Sequence, residues 1–123
     1  MSRVKTAQYT TPKTILVAPE LAFTLPIKVT NTGISADSDG KKILYAGQPI
    51  YGDITARETA FVKATTTEGV SNANAVILHT VDVTDGAENA TAVIFGFIDE
   101  NKLDNVTVAA AEKTALTKIT FVK

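Results

Sequence analysis

Residues 75–103 read AVILHTVDVTDGAENATAVIFGFIDENKL, and their patterning decides the fold. Side chains along a β-strand point alternately to opposite faces. Over 75–84 one face carries Ile77, His79, Val81 and Val83, and the other Val76, Leu78, Thr80, Asp82 and Thr84. Over 91–99 one face carries Val93, Phe95 and Phe97, and the other Ala92, Ile94, Gly96 and Ile98. Asp85-Gly86 between them is a turn signal, so the stretch reads as two strands joined by an acidic turn. The second strand is apolar on both faces. That predicts a central strand, or one whose second face another chain covers.

Upstream, Leu21, Phe23, Leu25, Ile27 and Val29 alternate with Ala22, Thr24, Pro26, Lys28 and Thr30, which predicts a strand with one buried face. Pro26 has no N–H to give a neighbour, so this strand belongs at an edge or is broken there. Asn31-Thr32-Gly33 and Asp37-Ser38-Asp39-Gly40 are turn signals, followed by short β candidates at 42–46, 49–54 and 60–64. Residues 65–74 read as a polar loop. Downstream, 107–116 (TVAAAEKTAL) predicts a short helix with Val108, Ala111, Ala115 and Leu116 on one side and Asn105 or Thr107 as N-cap. Residues 118–122 alternate again, with Ile119 and Phe121 on one face. Residues 1–19 show no sustained period and end at Pro19. They read as an extended arm, able to reach about 60 Å at about 3.3 Å per residue. The chain therefore divides into an arm, 1–19, and a single mainly β domain with one helix, 20–123.

The 123 residues, 45% of them apolar, suit one folded domain with its own core. No apolar run approaches the roughly 20 residues of a membrane helix. The opening Met1-Ser2-Arg3-Val4-Lys5 offers no secretory apolar region. There is no cysteine, hence no disulfide, thiolate nucleophile or cysteine zinc site, which fits a reducing cytoplasm. Net charge is −1, but the arm holds Arg3, Lys5 and Lys13 with no acid, leaving a weakly acidic body. Nucleic-acid binders show a basic face, so neither nucleic acid nor membrane is expected as a partner.

Candidate chemistry is sparse. His79 is the only histidine, and on a strand it faces away from Asp82; sharing a face with aliphatic residues, it reads as core or interface. Asp82, Asp85, Glu88, Asp99 and Glu100 gather acid near the turn, but their spacing matches no ordered cation loop. Asp37–Gly40 resembles part of a calcium loop, yet Gln48 stands where the bidentate acid would fall. No phosphate-cradling glycine motif and no Gly-x-Ser-x-Gly turn occurs. The motifs at Asn89 and Asn105 match the glycosylation pattern only by coincidence, and Tyr9, Tyr45 and Tyr51 are too dispersed to make a sugar platform. No metal, cofactor or catalytic residue is expected, so the chain does not read as an enzyme.

Three blocks in order carry a resemblance. They are Lys42-Ile43-Leu44-Tyr45-Ala46-Gly47-Gln48-Pro49-Ile50; the run Ala75 to Gly86, with Val81-Asp82-Val83-Thr84 leading into the turn; and 91–103, with Gly96-Phe97 and a closing Asn101-Lys102-Leu103. Together they resemble the head decoration proteins of tailed bacteriophages, of the phage lambda type. The resemblance implies a compact β-sandwich or barrel-like domain of β-tulip type, with a short C-terminal helix and an extended N-terminal arm. It implies a non-catalytic protein made in the host cytoplasm and placed on the outer surface of the virion. There, homotrimers would sit at three-fold and quasi-three-fold sites of the expanded head and clamp the major capsid protein against internal DNA pressure. The arm would pair with capsid strands, a form of β-augmentation. On this chain that role falls on Arg3, Val4, Lys5, Tyr9, Lys13, Ile15 and Val17. Phe95 and Phe97 on one face, with Ile94 and Ile98 on the other, offer more apolar surface than a small domain buries alone. An interface of about 800 Å² per partner would use it, as a trimer or capsid contact. The alternative is a virion-surface module binding carbohydrate on the host, and a third reading is a small hydrolase using His79.

Overall fold

The apolar run at 91–99 becomes the spine of the domain. The computed structural model describes residues 15–103 and 106–123. In chain order the strands are β1 (Phe23–Val29), β2 (Ile43–Leu44), β3 (Pro49–Tyr51), β4 (Val62–Lys63), β5 (Thr66–Thr67), β6 (Val70–Ser71), β7 (Ala75–Ile77), β8 (Val81–Asp82) and β9 (Glu88–Asp99). Helix α1 (Ala110–Ala115) and strand β10 (Ile119–Val122) follow. Two 3-10 turns, Pro19–Leu21 and Glu100–Lys102, bound β1 at its start and β9 at its end. The protein is mainly β with one short helix.

The main sheet runs β10-β9-β7-β3-β4, and β1 also pairs with β9. β1 lies antiparallel to β9 from Val29 opposite Glu88 to Phe23 opposite Phe95. On β9's other edge lies β7, antiparallel, with Ile77 opposite Ala92. Near its end β9 is flanked by β10, parallel, with Ile119 opposite Gly96, and by Leu16, antiparallel, opposite Ile98. β9 is therefore central, as a strand apolar on both faces must be. β1 is an edge strand over most of its length, which is where Pro26 belongs. The guanidinium of Arg57 donates to the Pro26 carbonyl (3.0 Å) and further blunts that edge.

A core sits on each side of the sheet. One holds Ile27, Val29, Leu44, Ile50, Phe61, Ala75, Ile77, Val83, Ala92 and Ile94. The short pair β2–β8 closes over it, with Ile43 opposite Asp82 and Leu44 opposite Val81. The second holds Ile15, Leu16, Val76, Val93, Ile98, Leu116 and Ile119, and Leu103 packs against it. Neighbouring residues of β7 (Ala75, Ile77 against Val76) and of β9 (Ala92, Ile94 against Val93) divide between the two cores, as strand alternation requires.

Several sequence expectations are corrected. Residues 75–84 are not one strand: the chain bends after Ile77, and Val81–Asp82 crosses to pair with β2. His79 falls in that bend and is exposed, so it is neither core nor part of a strand face. β9 carries a bulge between Val93 and Phe95, which inserts an extra residue and shifts the faces beyond it. Ile98 consequently shares a core with Val93, five positions away, and not with Ile94. The helix begins at Ala110, and its N-cap is Ala109, not Thr107; Ala109 N–H donates to the Glu112 carboxylate (2.9 Å). Asn105, the other expected cap, lies outside the described residues.

The expected polar loop at 65–74 contains a hairpin, β5–β6, turning at Glu68-Gly69. Both turn residues have positive φ (53° and 79°), the backbone of a tight primed hairpin turn. Glycine adopts that conformation freely and glutamate does not, whereas asparagine tolerates it. Glu68→Asn is expected to raise stability by about 0.5–1 kcal/mol. An unchanged or lower denaturation midpoint would show that the turn does not strain Glu68.

Candidate docking surface

The arm joins the domain through β9. Val17 N–H donates to the Phe97 carbonyl (3.0 Å), and Asp99 N–H donates to the Ile15 carbonyl (2.8 Å). Ile15 and Leu16 are buried in the second core, and an isolated bridge from Leu16 to Ile98 holds the end of the arm on β9. β9 ends at Asp99 and turns away over Glu100–Lys102. Of the arm residues singled out from the sequence, Ile15 is core and Val17 is exposed. Arg3, Val4, Lys5, Tyr9 and Lys13 lie outside the described residues.

The turn at β9's end is held from the side by α1. The Lys113 ammonium pairs with the Glu100 carboxylate at 2.8 Å and lies 5.8 Å from the centre of the Phe121 ring. The Asp99 carboxylate accepts from Asn101 N–H (2.9 Å), starting the turn. β9 thereby ends at a defined residue.

Beside the arm root lies an exposed apolar face. Phe23 and Phe95 are paired across β1 and β9 and so share a face. Phe97, two residues on, points the same way, and Val17 lies next to it across the strand pair. Leu21, in the turn between Val17 and Phe23, is also exposed. The three phenyl groups are 55%, 48% and 39% exposed in chain order. Ile94 and Ile98, grouped with Phe95 and Phe97 from the sequence, are interior: Ile94 packs in one core and Ile98 in the other. Both are occupied within the chain and unavailable to a partner. The reason is β9's central position, since both of its faces are covered where those residues point.

Several aspartates are turn formers. Asp53 accepts from the Thr55 hydroxyl (2.5 Å) and backbone N–H (2.8 Å). Asp82 does the same with Thr84 (2.5 and 2.9 Å), and Asp37 accepts from Asp39 N–H and Lys41 N–H (2.8 and 3.0 Å). These are local loops closed by an aspartate. Among the described residues no three acids or histidines gather as a cation would require. Tyr51 is exposed at the end of β3 and Tyr45 half-buried at the bend after β2, while Tyr9 lies outside the described residues.

The threonine hydroxyl, and after it the threonine N–H, holds each of Asp53 and Asp82 below the ordinary carboxyl value of 3.8. A carboxyl whose folded value is depressed stabilises the fold above its unfolded value, and that contribution disappears as pH falls through the folded one. Melting temperature should therefore decline as pH is lowered from roughly 5 to 2, and decline less in Asp53→Asn/Asp82→Asn. Equal declines in both proteins would remove these two carboxyls from acid sensitivity.

No protein-family model matches the chain. No curated protein matches it either.

Proposed function

We propose that this protein is a capsid decoration protein, which binds the outside of an expanded phage head and stabilises it against internal DNA pressure. The observation that supports the reading is the seating of Ile15–Val17 along the end of β9, beside an exposed apolar face. By the resemblance, the residues before Ile15 would add as a strand to another protein's sheet. The identity of the partner, the major capsid protein, rests on the three sequence blocks resembling the decoration family. The same resemblance supports a β-tulip domain, homotrimers at three-fold and quasi-three-fold sites, and a place on the outer virion surface after synthesis in the host cytoplasm. Modest contacts repeated over a symmetric shell then sum to a durable coat without catalysis.

Carbohydrate binding is the weaker reading. Sugar sites combine aromatic faces with converging polar groups, whereas the exposed aromatic face here consists of phenylalanines flanked by valine and leucine. The test is co-sedimentation with heads lacking the protein, unexpanded and expanded, using the full chain and a variant without residues 1–14. Saturable binding to expanded heads alone, weakened by losing the arm, is expected. Binding to neither shell would sink the capsid reading and direct the work to a glycan screen.

A further inference from the structure

We infer that Asp85-Gly86 is a site of spontaneous covalent modification, the isomerisation of an aspartyl to an isoaspartyl link, and that the fold shields the other Asp-Gly pair, Asp39-Gly40, from the same reaction.

The chemistry needs no partner beyond water. The Gly86 backbone nitrogen attacks Cγ of the protonated Asp85 carboxyl. A C–N bond forms, the C–OH bond breaks, and the hydroxyl leaves as water with the amide proton. A second water opens the resulting five-membered imide, and opening at the original main-chain carbonyl leaves Gly86 joined through Cγ. Glycine after the aspartate favours the step, because it has no Cβ to obstruct the ring and its backbone turns freely. This pair stands at 39–40 and at 85–86.

Space does not separate the two sites. Asp39 and Asp85 are both exposed, and a Cβ added at Gly40 or Gly86 would meet nothing within 4 Å. Bracing separates them. The Asp37 carboxylate accepts from Asp39 N–H (2.8 Å) and Lys41 N–H (3.0 Å), one on each side of the Asp39-Gly40 link. The Asp37 carbonyl accepts from Gly40 N–H (2.9 Å), and Asp37 N–H donates to the Lys41 carbonyl (2.8 Å). Turning the Gly40 nitrogen onto Cγ of Asp39 would disrupt this whole set together.

At Asp85-Gly86 one bond stands in the way, from Gly86 N–H to the Val83 carbonyl (3.1 Å). The Asp82 carboxylate reaches Thr84 N–H and stops short of the reacting link. Among the described residues nothing bonds or pairs with the Asp85 carboxylate, so it is at liberty to rotate toward the nitrogen. The product carries the main chain through Cβ and Cγ of Asp85, adding one carbon to the connection between β8 and β9. Neither Asp85 nor Gly86 belongs to a core, so the fold accommodates the change.

The test incubates the full chain in mildly acidic buffer, native and in urea, and digests it. Isoaspartyl peptides are separated by reversed-phase chromatography and located by electron-transfer fragmentation; the imide is seen as the loss of one water. In the native protein, conversion at 85 should run at least about tenfold faster than at 39, since site 39 must break several more hydrogen bonds. In urea the two sites should react alike. Native Asp37→Ala should raise conversion at 39 toward that at 85 and leave 85 unchanged, an internal control within one molecule. The native and urea comparison stands whether or not that variant folds. Equal native rates, faster conversion at 39, no isoaspartate at 85, or protection of 39 that survives urea or Asp37→Ala would each overturn the inference.

Discussion

Replacing Phe61 by alanine is expected to remove about 3–5 kcal/mol of stability, the range for deleting a buried aromatic ring. That is a large share of the roughly 5–15 kcal/mol that holds a domain of this kind together. Phe61 is fully buried in the core beneath β2–β8, and is the largest side chain so enclosed among the described residues. Its backbone joins β1: the N–H donates to the Lys28 carbonyl (2.7 Å), and its carbonyl accepts from Thr30 N–H (3.0 Å). Its ring lies on Gly52, where an added Cβ would come within 2.4 Å of the ring. The walls of the resulting cavity are strands fixed by their own ladders, so they cannot collapse to fill it. A urea titration should show a lower midpoint with an unchanged slope. Phe61→Leu should cost less, because part of the volume is kept. A loss below about 1 kcal/mol for alanine would mean that the ring does not support this core.

The same residue shows what the sequence discloses and what it withholds. Phe61 lies in a short apolar run that reads as a strand, but its partner Val29 is thirty-two positions away and joined by a single parallel bridge. Alternation marked the inward residues of β1, and Ile27 and Val29 are buried as expected. It marked Leu21 and Phe23 equally, yet both are exposed. Whether an apolar side chain is covered depends on how far the opposing layer extends, which no periodicity contains. His79 was misplaced because a strand was assumed to continue through a bend. The hairpin at Glu68-Gly69 was missed because threonines and a single valine around an acidic turn look like loop composition. The bulge in β9 has one visible mark in the chain, Gly96, whose φ of 152° is open to glycine.

The candidate surface was half legible for the same reasons. Phe95 and Phe97, expected with Ile94 and Ile98 at an interface, are exposed, and a face of a central strand with two phenylalanines is visible in the sequence. Val17 is expected as an arm contact and Phe23 as an inward strand residue, because their place beside Phe95 and Phe97 comes only from register, which long-range pairing fixes. Ile94 and Ile98 were included because one strand's outline does not show which residues the rest of the chain will cover. The acids near the central turn stood out by composition. Two of them, Asp82 and Asp99, close loops by accepting from an N–H two residues ahead, a contact that composition does not contain.

Gly47→Ala is expected to cost about 2–5 kcal/mol, from two independent sources. The backbone at Gly47 has φ of 97°, where a Cβ costs about 1–2 kcal/mol whatever the surrounding space. The new methyl would also fall 2.3 Å from a terminal methyl of Leu103, which is packed on the second core. Leu103 could swing aside only by giving up that packing, a penalty of about 1–3 kcal/mol for overfilling. Gly47 cannot retreat either, because its N–H donates to the Ile77 carbonyl (2.8 Å) while Ile77 N–H donates back to the Gln48 carbonyl (3.1 Å). The bend thus joins three stretches far apart in sequence, at Gly47, Ile77 and Leu103, each lying in one of the blocks that carry the family resemblance. Adding Leu103→Ala should recover the steric part in the double variant and leave the φ part, so the two effects should be less than additive. For a domain this size, each kcal/mol corresponds to about 3–6 °C in melting temperature, so the single variant should melt well below wild type. If the two substitutions simply add, Gly47 and Leu103 are not in contact, and the cost at Gly47 belongs to the backbone alone.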